Sequence, residues 1–71
     1  MEFSARNQLK GVVKSVKTAG VMAEVIIELP DGQQVVSAIT RGSVESMNIK
    51  EGDTVYAVIK STDVMILSQG D

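Results

Sequence analysis

The 71-residue sequence contains no cysteine and no histidine. Without cysteine, the chain can form neither a disulfide framework nor a thiolate metal site. Without histidine, it lacks the commonest metal ligand and the usual general base at neutral pH. Because no nucleophile is paired with a base either, an enzyme is disfavoured. We therefore expect no catalytic residue, no protein-bound metal and no covalent cofactor.

Aromatic side chains and positive charge are also scarce. Phe3 and Tyr56 are the only aromatic residues, which are too few to form a platform for stacked bases. The formal net charge is −2 and the pI is near 4.9, which disfavours non-specific binding to nucleic acid. No apolar run approaches the roughly 18 residues of a membrane span, and the first residues lack the apolar run of a signal peptide. We expect a cytoplasmic protein.

The length predicts a single domain spanning residues 1–71. A chain this short buries a thin core and usually needs a disulfide, a metal or a partner subunit for stability. Since the composition excludes a disulfide and disfavours a metal, self-association is the expected source of extra stability.

The distribution of apolar residues predicts five short strands. They are expected at residues 9–17, 21–29, 33–40, 54–59 and 64–67. Pro30, Asp31 and Gly32 predict a tight hairpin turn between the second and third strands. A short helix over residues 41–49, with Ser43 able to cap its start, is expected between the third and fourth strands. The fold class is therefore all-β, an OB-like five-stranded Greek-key barrel with one short helix.

Two segments rich in hydrogen-bond donors lie near the two ends of the chain. Residues 4–7 (SARN) and 60–62 (KST) together hold two cations, three hydroxyls and an amide, and neither contains a carboxylate. Arginine offers a planar fork of donors suited to oxyanions, and lysine adds a point charge. A solvated arm and a polar loop would also explain them separately. Together they predict a site for a small anion if the fold brings the ends together.

Thr40 is a further candidate, at the end of the third predicted strand. Its hydroxyl could donate to the same anion, or it could simply belong to the entry of the helix. The sequence leaves both interpretations open.

Five short motifs in this order resemble the Mop domain of molbindins, small molybdate-binding proteins also called molybdenum-pterin-binding proteins. They are SARNQL at residues 4–9, AIT at 38–40, EGD at 51–53, AVIKS at 57–61 and VMI at 64–66. The module is similar to the TOBE-type domains of molybdate-responsive regulators and molybdate importer ATPases. The resemblance covers roughly residues 3–68.

The resemblance implies an OB-like barrel that assembles as a homohexamer, a trimer of dimers, with molybdate at subunit interfaces. It implies storage or homeostasis of molybdate, or of tungstate, as the function. The oxyanion-binding positions that match the family motifs are Ser4, Ala5, Arg6, Thr40, Lys60 and Ser61. In the family these donors come from neighbouring subunits, and a second type of site lies near the threefold axis.

Two alternatives stay open from the sequence alone. An OB fold is also compatible with a nucleic-acid-binding module, although the acidic balance and the two aromatic residues argue against it. A sensory or assembly module, of the kind found in regulators and transporters, is the other alternative.

Overall fold

The computed structural model describes residues 4–70, which form a four-stranded antiparallel sheet and one short α-helix. The sheet order is β3-β2-β1-β4. The elements are β1 (Asn7–Ala19), β2 (Met22–Glu28), β3 (Gln34–Thr40), α1 (Arg41–Met47), β4 (Thr54–Ile59) and a 3₁₀ turn at Ser61–Asp63. No helix in this part of the chain is long and apolar enough to cross a membrane.

Strand β1 is long because it serves two partners in succession. It pairs with β4 from Asn7 to Val12 and with β2 from Val12 to Ala19. The register with β2 shifts at a bulge between Val13 and Ser15, and such bulges bend a strand and increase its twist. The sheet therefore curls into a half-barrel around β1.

Gly11 allows β1 and β2 to approach closely where the strand changes partner. A Cβ at this position would lie 2.6 Å from Cγ2 of Ile27 and 2.7 Å from the carbonyl oxygen of Glu28. Neither distance leaves room for a methyl group, and the carbonyl belongs to the backbone of β2. Gly11 is thus a packing requirement of the sheet.

The predicted hairpin turn between β2 and β3 is confirmed. The backbone N–H of Gly32 donates to the carbonyl of Leu29 at 2.9 Å, and Gly32 has a φ of 90°. The carboxylate of Asp31 accepts hydrogen bonds from the side-chain amide and the backbone N–H of Gln33, at 2.5 and 3.1 Å. These two bonds lower the pKa of Asp31 below its ordinary value of 3.8.

Helix α1 is shorter than predicted and its capping residue is different. The N-cap is Thr40, whose hydroxyl oxygen accepts from the backbone N–H of Ser43 at 3.1 Å. Ser43 is therefore the third helical residue rather than the cap. At the other end Asn48 is left-handed, with a φ of 53°, which stops the helix before Ile49. Val44 is the residue of α1 that the core buries.

The core is thin, as the length predicts. Its buried members are small or β-branched side chains from β1, β2, β4 and the helix. They are Val13, Ala23, Val25, Ile27, Val44 and Ala57. Further apolar residues, including Val35 and Ile39 of β3, are half-buried against them.

The all-β, OB-like class with one helix between the third and fourth strands is confirmed, but the fifth strand is a correction. Residues 64–67 follow the 3₁₀ turn and form no strand within the described chain. The turn closes with a 2.9 Å hydrogen bond from the N–H of Asp63 to the carbonyl of Lys60, so the chain does not fold directly back along β4. Strands β3 and β4 are not paired with each other, and a cleft of about 830 Å³ remains between them.

Candidate oxyanion-binding site

The register of β1 and β4 brings the two donor-rich segments side by side. Asn7, the first residue of β1, pairs with Ile59, the last residue of β4. Neighbouring strands lie about 4.8 Å apart, so the residues just before Asn7 and just after Ile59 leave the sheet together. The next positions beyond this pair are Arg6 and Lys60. We call Ser4, Ala5, Arg6, Lys60 and Ser61 the donor cluster.

A buried residue anchors the N-terminal part of the donor cluster. Ala5 is 6% exposed, and its carbonyl accepts a 3.4 Å hydrogen bond from the side-chain amide of Gln8. Ser4 and Arg6, on either side of it, are exposed. This segment is therefore not a freely solvated arm, because its middle residue is packed while its polar neighbours reach solvent.

The 3₁₀ turn after β4 holds the other part of the donor cluster. Lys60 precedes the turn in an extended conformation, with φ −64° and ψ 139°, and its carbonyl accepts the N–H of Asp63. Ser61 begins the turn, and its carbonyl accepts the N–H of Val64 at 3.4 Å. Both side chains are exposed. Backbone hydrogen bonds thus fix the turn without using either side chain.

The polar side chains of the donor cluster are uncommitted in the part of the chain that the structure describes. The ion pairs there are Lys14 with Glu28 at 3.6 Å and Arg41 with Glu45 at 3.8 Å. Neither Arg6 nor Lys60 pairs with a carboxylate of residues 4–70, and the hydroxyls of Ser4 and Ser61 make no hydrogen bond there. Two adjacent positive charges without a counter-charge favour an anion at this end of the sheet.

Thr40 lies at the opposite end of the sheet. It pairs with Met22, which pairs in turn with Ala19, the last residue of β1. The donor cluster adjoins Asn7, twelve residues earlier on the same strand, which corresponds to roughly 40 Å measured along the strand. Within one chain, the structure brings five of the six predicted residues together and leaves Thr40 apart.

The hydroxyl of Thr40 is also already in use. Its oxygen accepts the N–H of Ser43, and its proton is donated to Oγ of Ser43 at 2.7 Å. The helix-entry interpretation of Thr40 is therefore correct for the single chain. The oxygen of this hydroxyl is held by the cap. The hydroxyl could therefore donate to a ligand only if its hydrogen bond to Oγ of Ser43 were broken.

The donor groups of the cluster suit the binding of a small tetrahedral oxyanion better than the catalysis of a group transfer. The cluster offers a guanidinium, an ammonium, two hydroxyls and backbone N–H groups, and all of these can donate to an oxygen. Hydrogen bonds to charged groups contribute about 1.5–3 kcal/mol each. No carboxylate in the cluster would repel the ligand, although Asp63 lies two residues beyond Ser61.

Sequence reasoning missed the supporting role of Gln8. Its side chain holds the carbonyl of Ala5 and so fixes the backbone between Ser4 and Arg6. The available signal was its position three residues after Ala5, a spacing at which a long polar side chain can reach back to the backbone.

Comparison with known proteins finds a matching family and similar structures. A family model described as the TOBE domain matches residues 4–66. That span begins with the first residue of the donor cluster and ends inside the apolar segment after the 3₁₀ turn. It covers every strand, the helix and all of the predicted site residues.

Individual relatives are similar over nearly their whole length. Molybdenum-pterin-binding protein 3 of Clostridium pasteurianum is 54% identical over 68 residues, which is 96% of this chain and 100% of that protein. The structure of MopII from Clostridium pasteurianum has a TM-score of 0.88 at 51% identity and covers 94% of this chain and 100% of its own. A molybdate-binding protein from Sporomusa ovata has a TM-score of 0.91 at 35% identity, covering 96% and 100%.

Proposed function

The chain belongs to the TOBE-domain family, together with the molybdenum-pterin-binding proteins, and we propose that it binds molybdate or tungstate reversibly as an oxyanion. In this proposal the protein stores the anion in the cytoplasm and buffers its concentration. It is a binding protein and not an enzyme, because the site supplies donors and no nucleophile with a base.

The donor cluster is the observation that carries this proposal. Arg6 and Lys60 emerge from adjacent strands without carboxylate partners among the described residues, and they offset the double negative charge of the anion. Ser4 and Ser61 add hydroxyl donors, and the packed backbone at Ala5 adds an N–H group. Two strands and a turn hold the backbone at these positions, so only the side chains need ordering when the ligand binds.

The position of Thr40 supports a site shared between subunits. One chain holds the donor cluster at one end of its sheet and Thr40 at the other. In the proposed assembly, Thr40 of one copy approaches the donor cluster of another, and the site is complete only in the oligomer. A homohexamer arranged as a trimer of dimers is the assembly proposed, in line with the family resemblance.

Calorimetric titration tests the proposal. Molybdate, tungstate and sulfate are titrated separately into the protein, and molybdate is titrated again with sulfate present. All three are divalent tetrahedral anions, so charge and shape are shared and cavity size must discriminate between them. We expect saturable binding of molybdate or tungstate with weak competition by sulfate. Absence of saturation, or equal affinity for sulfate, would contradict the proposal.

The nucleic-acid alternative has less support. Tyr56 is the one aromatic residue within residues 4–70, and it lies on β4 opposite Lys10 rather than in a row of stacking side chains. Binding to single-stranded oligonucleotides that weakens steeply with salt would favour this alternative instead.

A further inference from the structure

The first residues of the donor cluster lie outside the sheet. Strand β1 begins at Asn7, and its ladder with β4 begins with the pair of Asn7 and Ile59. Residues 4–6 therefore have no place in the ladder, although Ser4 and Arg6 supply a hydroxyl and a guanidinium to the cluster. A contact other than strand pairing must hold this segment if its donors are to meet at one ligand.

One hydrogen bond within residues 4–70 holds this segment. The side-chain amide nitrogen of Gln8 donates to the carbonyl of Ala5 at 3.4 Å, and the bond is partly buried. No other hydrogen bond in the described range has a donor or an acceptor in residues 4–6. Ala5 is also buried, but its side chain is a single methyl group, which leaves the direction of the backbone open. The Gln8 amide is thus the polar contact that joins residues 4–6 to β1.

Gln8 lies in the row of the sheet next to the two cations of the cluster. It pairs with Val58 across the ladder. Arg6 stands two residues before Gln8, and Lys60 stands two residues after Val58, in an extended conformation. Because side chains alternate between the two faces of a sheet, positions two residues apart share a face. The row of Gln8 and Val58 therefore leads directly to the positions of both cations.

The amide of Gln8 is better suited to hold the backbone than to bind the anion itself. A carbonyl oxygen can only accept a hydrogen bond, so the nitrogen of the Gln8 amide is the atom that faces Ala5. One of its two N–H groups is used in this way. The other polar atom of the amide is an oxygen, which is an acceptor and does not attract an oxyanion.

We propose that Gln8 is a positioning residue of the oxyanion site. By holding the carbonyl of Ala5, it orders the backbone from Ser4 to Arg6 before the ligand arrives. Without the amide, binding must also supply the free energy that orders this segment, and the affinity falls. The inference rests on the proposed binding of an oxyanion, and it assigns part of the affinity to a residue that does not touch the ligand.

A pair of glutamine substitutions tests the role of the amide. Gln8→Met removes the amide and keeps an unbranched side chain of similar length. Gln34→Met is the matched control, because Gln34 is an exposed glutamine at the start of β3, outside the donor cluster. Calorimetric titration with molybdate should give a Kd about tenfold higher for Gln8→Met, the loss expected for one hydrogen bond, and an unchanged Kd for Gln34→Met. A Kd of Gln8→Met within twofold of wild type would overturn the inference.

A measurement on the protein without ligand separates positioning from direct contact. NMR order parameters report the picosecond-to-nanosecond mobility of backbone amides, with values of about 0.85 for rigid and below about 0.6 for flexible backbone. In Gln8→Met without molybdate, the amides of Ala5 and Arg6 should fall to the flexible range while that of Leu9 stays rigid. Saturating molybdate should make the two amides rigid again, and wild type should be rigid throughout.

Two further outcomes bear on the proposal. A tenfold loss of affinity with rigid amides at Ala5 and Arg6 would mean that Gln8 contacts the anion through its second N–H group, which would contradict the positioning role. If wild type binds molybdate and Gln8→Met binds equally well, the role of Gln8 alone is wrong. If wild type shows no saturable binding, the proposed function fails, and the role of Gln8 in that site fails with it.

Discussion

The two ends of the sheet use similar polar residues in opposite ways. At the start of β1, the side chains of Ser4, Arg6 and Ser61 are exposed and make no hydrogen bond or ion pair within residues 4–70. At the other end, the hydroxyl of Thr40 is engaged twice with Ser43 as the cap of α1. The first end leaves its polar side chains available, whereas the second commits its hydroxyl to the helix.

In the proposed site, this difference is the reason that one chain is incomplete. Thr40 is separated from the donor cluster by roughly 40 Å along β1, so its hydroxyl would reach the ligand only when a second copy brings the ligand to it. The donor cluster, by contrast, is assembled within one chain, because Asn7 and Ile59 fix its two halves in adjacent strands. The account therefore predicts different consequences for substitutions at the two ends.

The largest expected effect comes from disturbing the strand that connects the two ends. Gly11→Ala places a methyl group 2.6 Å from Ile27 and 2.7 Å from a backbone carbonyl, so β1 and β2 must separate. We expect a loss of about 3 kcal/mol in unfolding free energy, measured by urea denaturation. Gly42→Ala in α1 is the control, because no atom lies within 4 Å of its added Cβ, and it should stabilise by up to about 1 kcal/mol. Equal changes in unfolding free energy for the two variants would contradict the close approach of β1 and β2 at Gly11.

Removing a cation of the donor cluster should weaken anion binding without unfolding the protein. Arg6→Ala and Lys60→Ala each remove a charge-assisted donor worth about 1.5–3 kcal/mol, which corresponds to roughly a 10- to 100-fold rise in Kd for molybdate. Lys50→Ala removes the same charge from an exposed turn and should bind normally. A Kd within twofold of wild type for Arg6→Ala, measured by calorimetry, would remove Arg6 from the site.

A substitution at Thr40 separates its helix-capping role from ligand binding. Asp is as good an N-cap as Thr, so Thr40→Asp should keep α1 stable while its carboxylate repels an oxyanion. We expect at least a tenfold loss of molybdate affinity with unfolding free energy within about 0.5 kcal/mol of wild type. Thr18→Asp, a like change at an exposed threonine of β1, is the control. Normal affinity for Thr40→Asp would mean that Thr40 is a cap and nothing more.

The smallest effect concerns Asp31 in the hairpin turn, remote from both ends of β1. Its hydrogen bonds from Gln33 lower its pKa in the folded state below 3.8. The stabilisation is therefore fully present above pH 3.8 and is lost as the pH falls through the lowered value. Asp31→Asn should show a small deficit in stability at pH 6 that disappears once the pH falls below the lowered pKa. A deficit independent of pH in thermal unfolding would contradict this assignment.

Much of this arrangement could be predicted from the sequence because its causes are local. Alternating apolar residues predicted β1 to β4, and Pro30 and Gly32 predicted the hairpin. The motifs also predicted the residues of the donor cluster, and strand register then placed them together, although their role in binding stays a prediction. The sequence could not show that Gly11 is needed for close approach, since that depends on Ile27 across the sheet.

The differences from the prediction arise where a residue's role depends on more than its own neighbours. Ser43 and Thr40 are both suitable N-cap residues. Because β3 ends at Thr40 and the helix begins at the next residue, Thr40 is the cap. Residues 64–67 have the composition of a strand but find no partner within the described chain. A pattern predicts that a segment can pair, but it does not show in which molecule the partner lies.

Subunit complementation tests whether one oxyanion site is built from two copies of the chain. Arg6→Ala and Thr40→Asp are each prepared alone, then unfolded together, refolded and titrated with molybdate. In mixed oligomers, a site that takes Arg6 from one copy and Thr40 from the other has no altered residue. If the site is shared in this way, the mixture should regain a fraction of sites with wild-type Kd. Mixed oligomers by native mass spectrometry that have no such sites would contradict it.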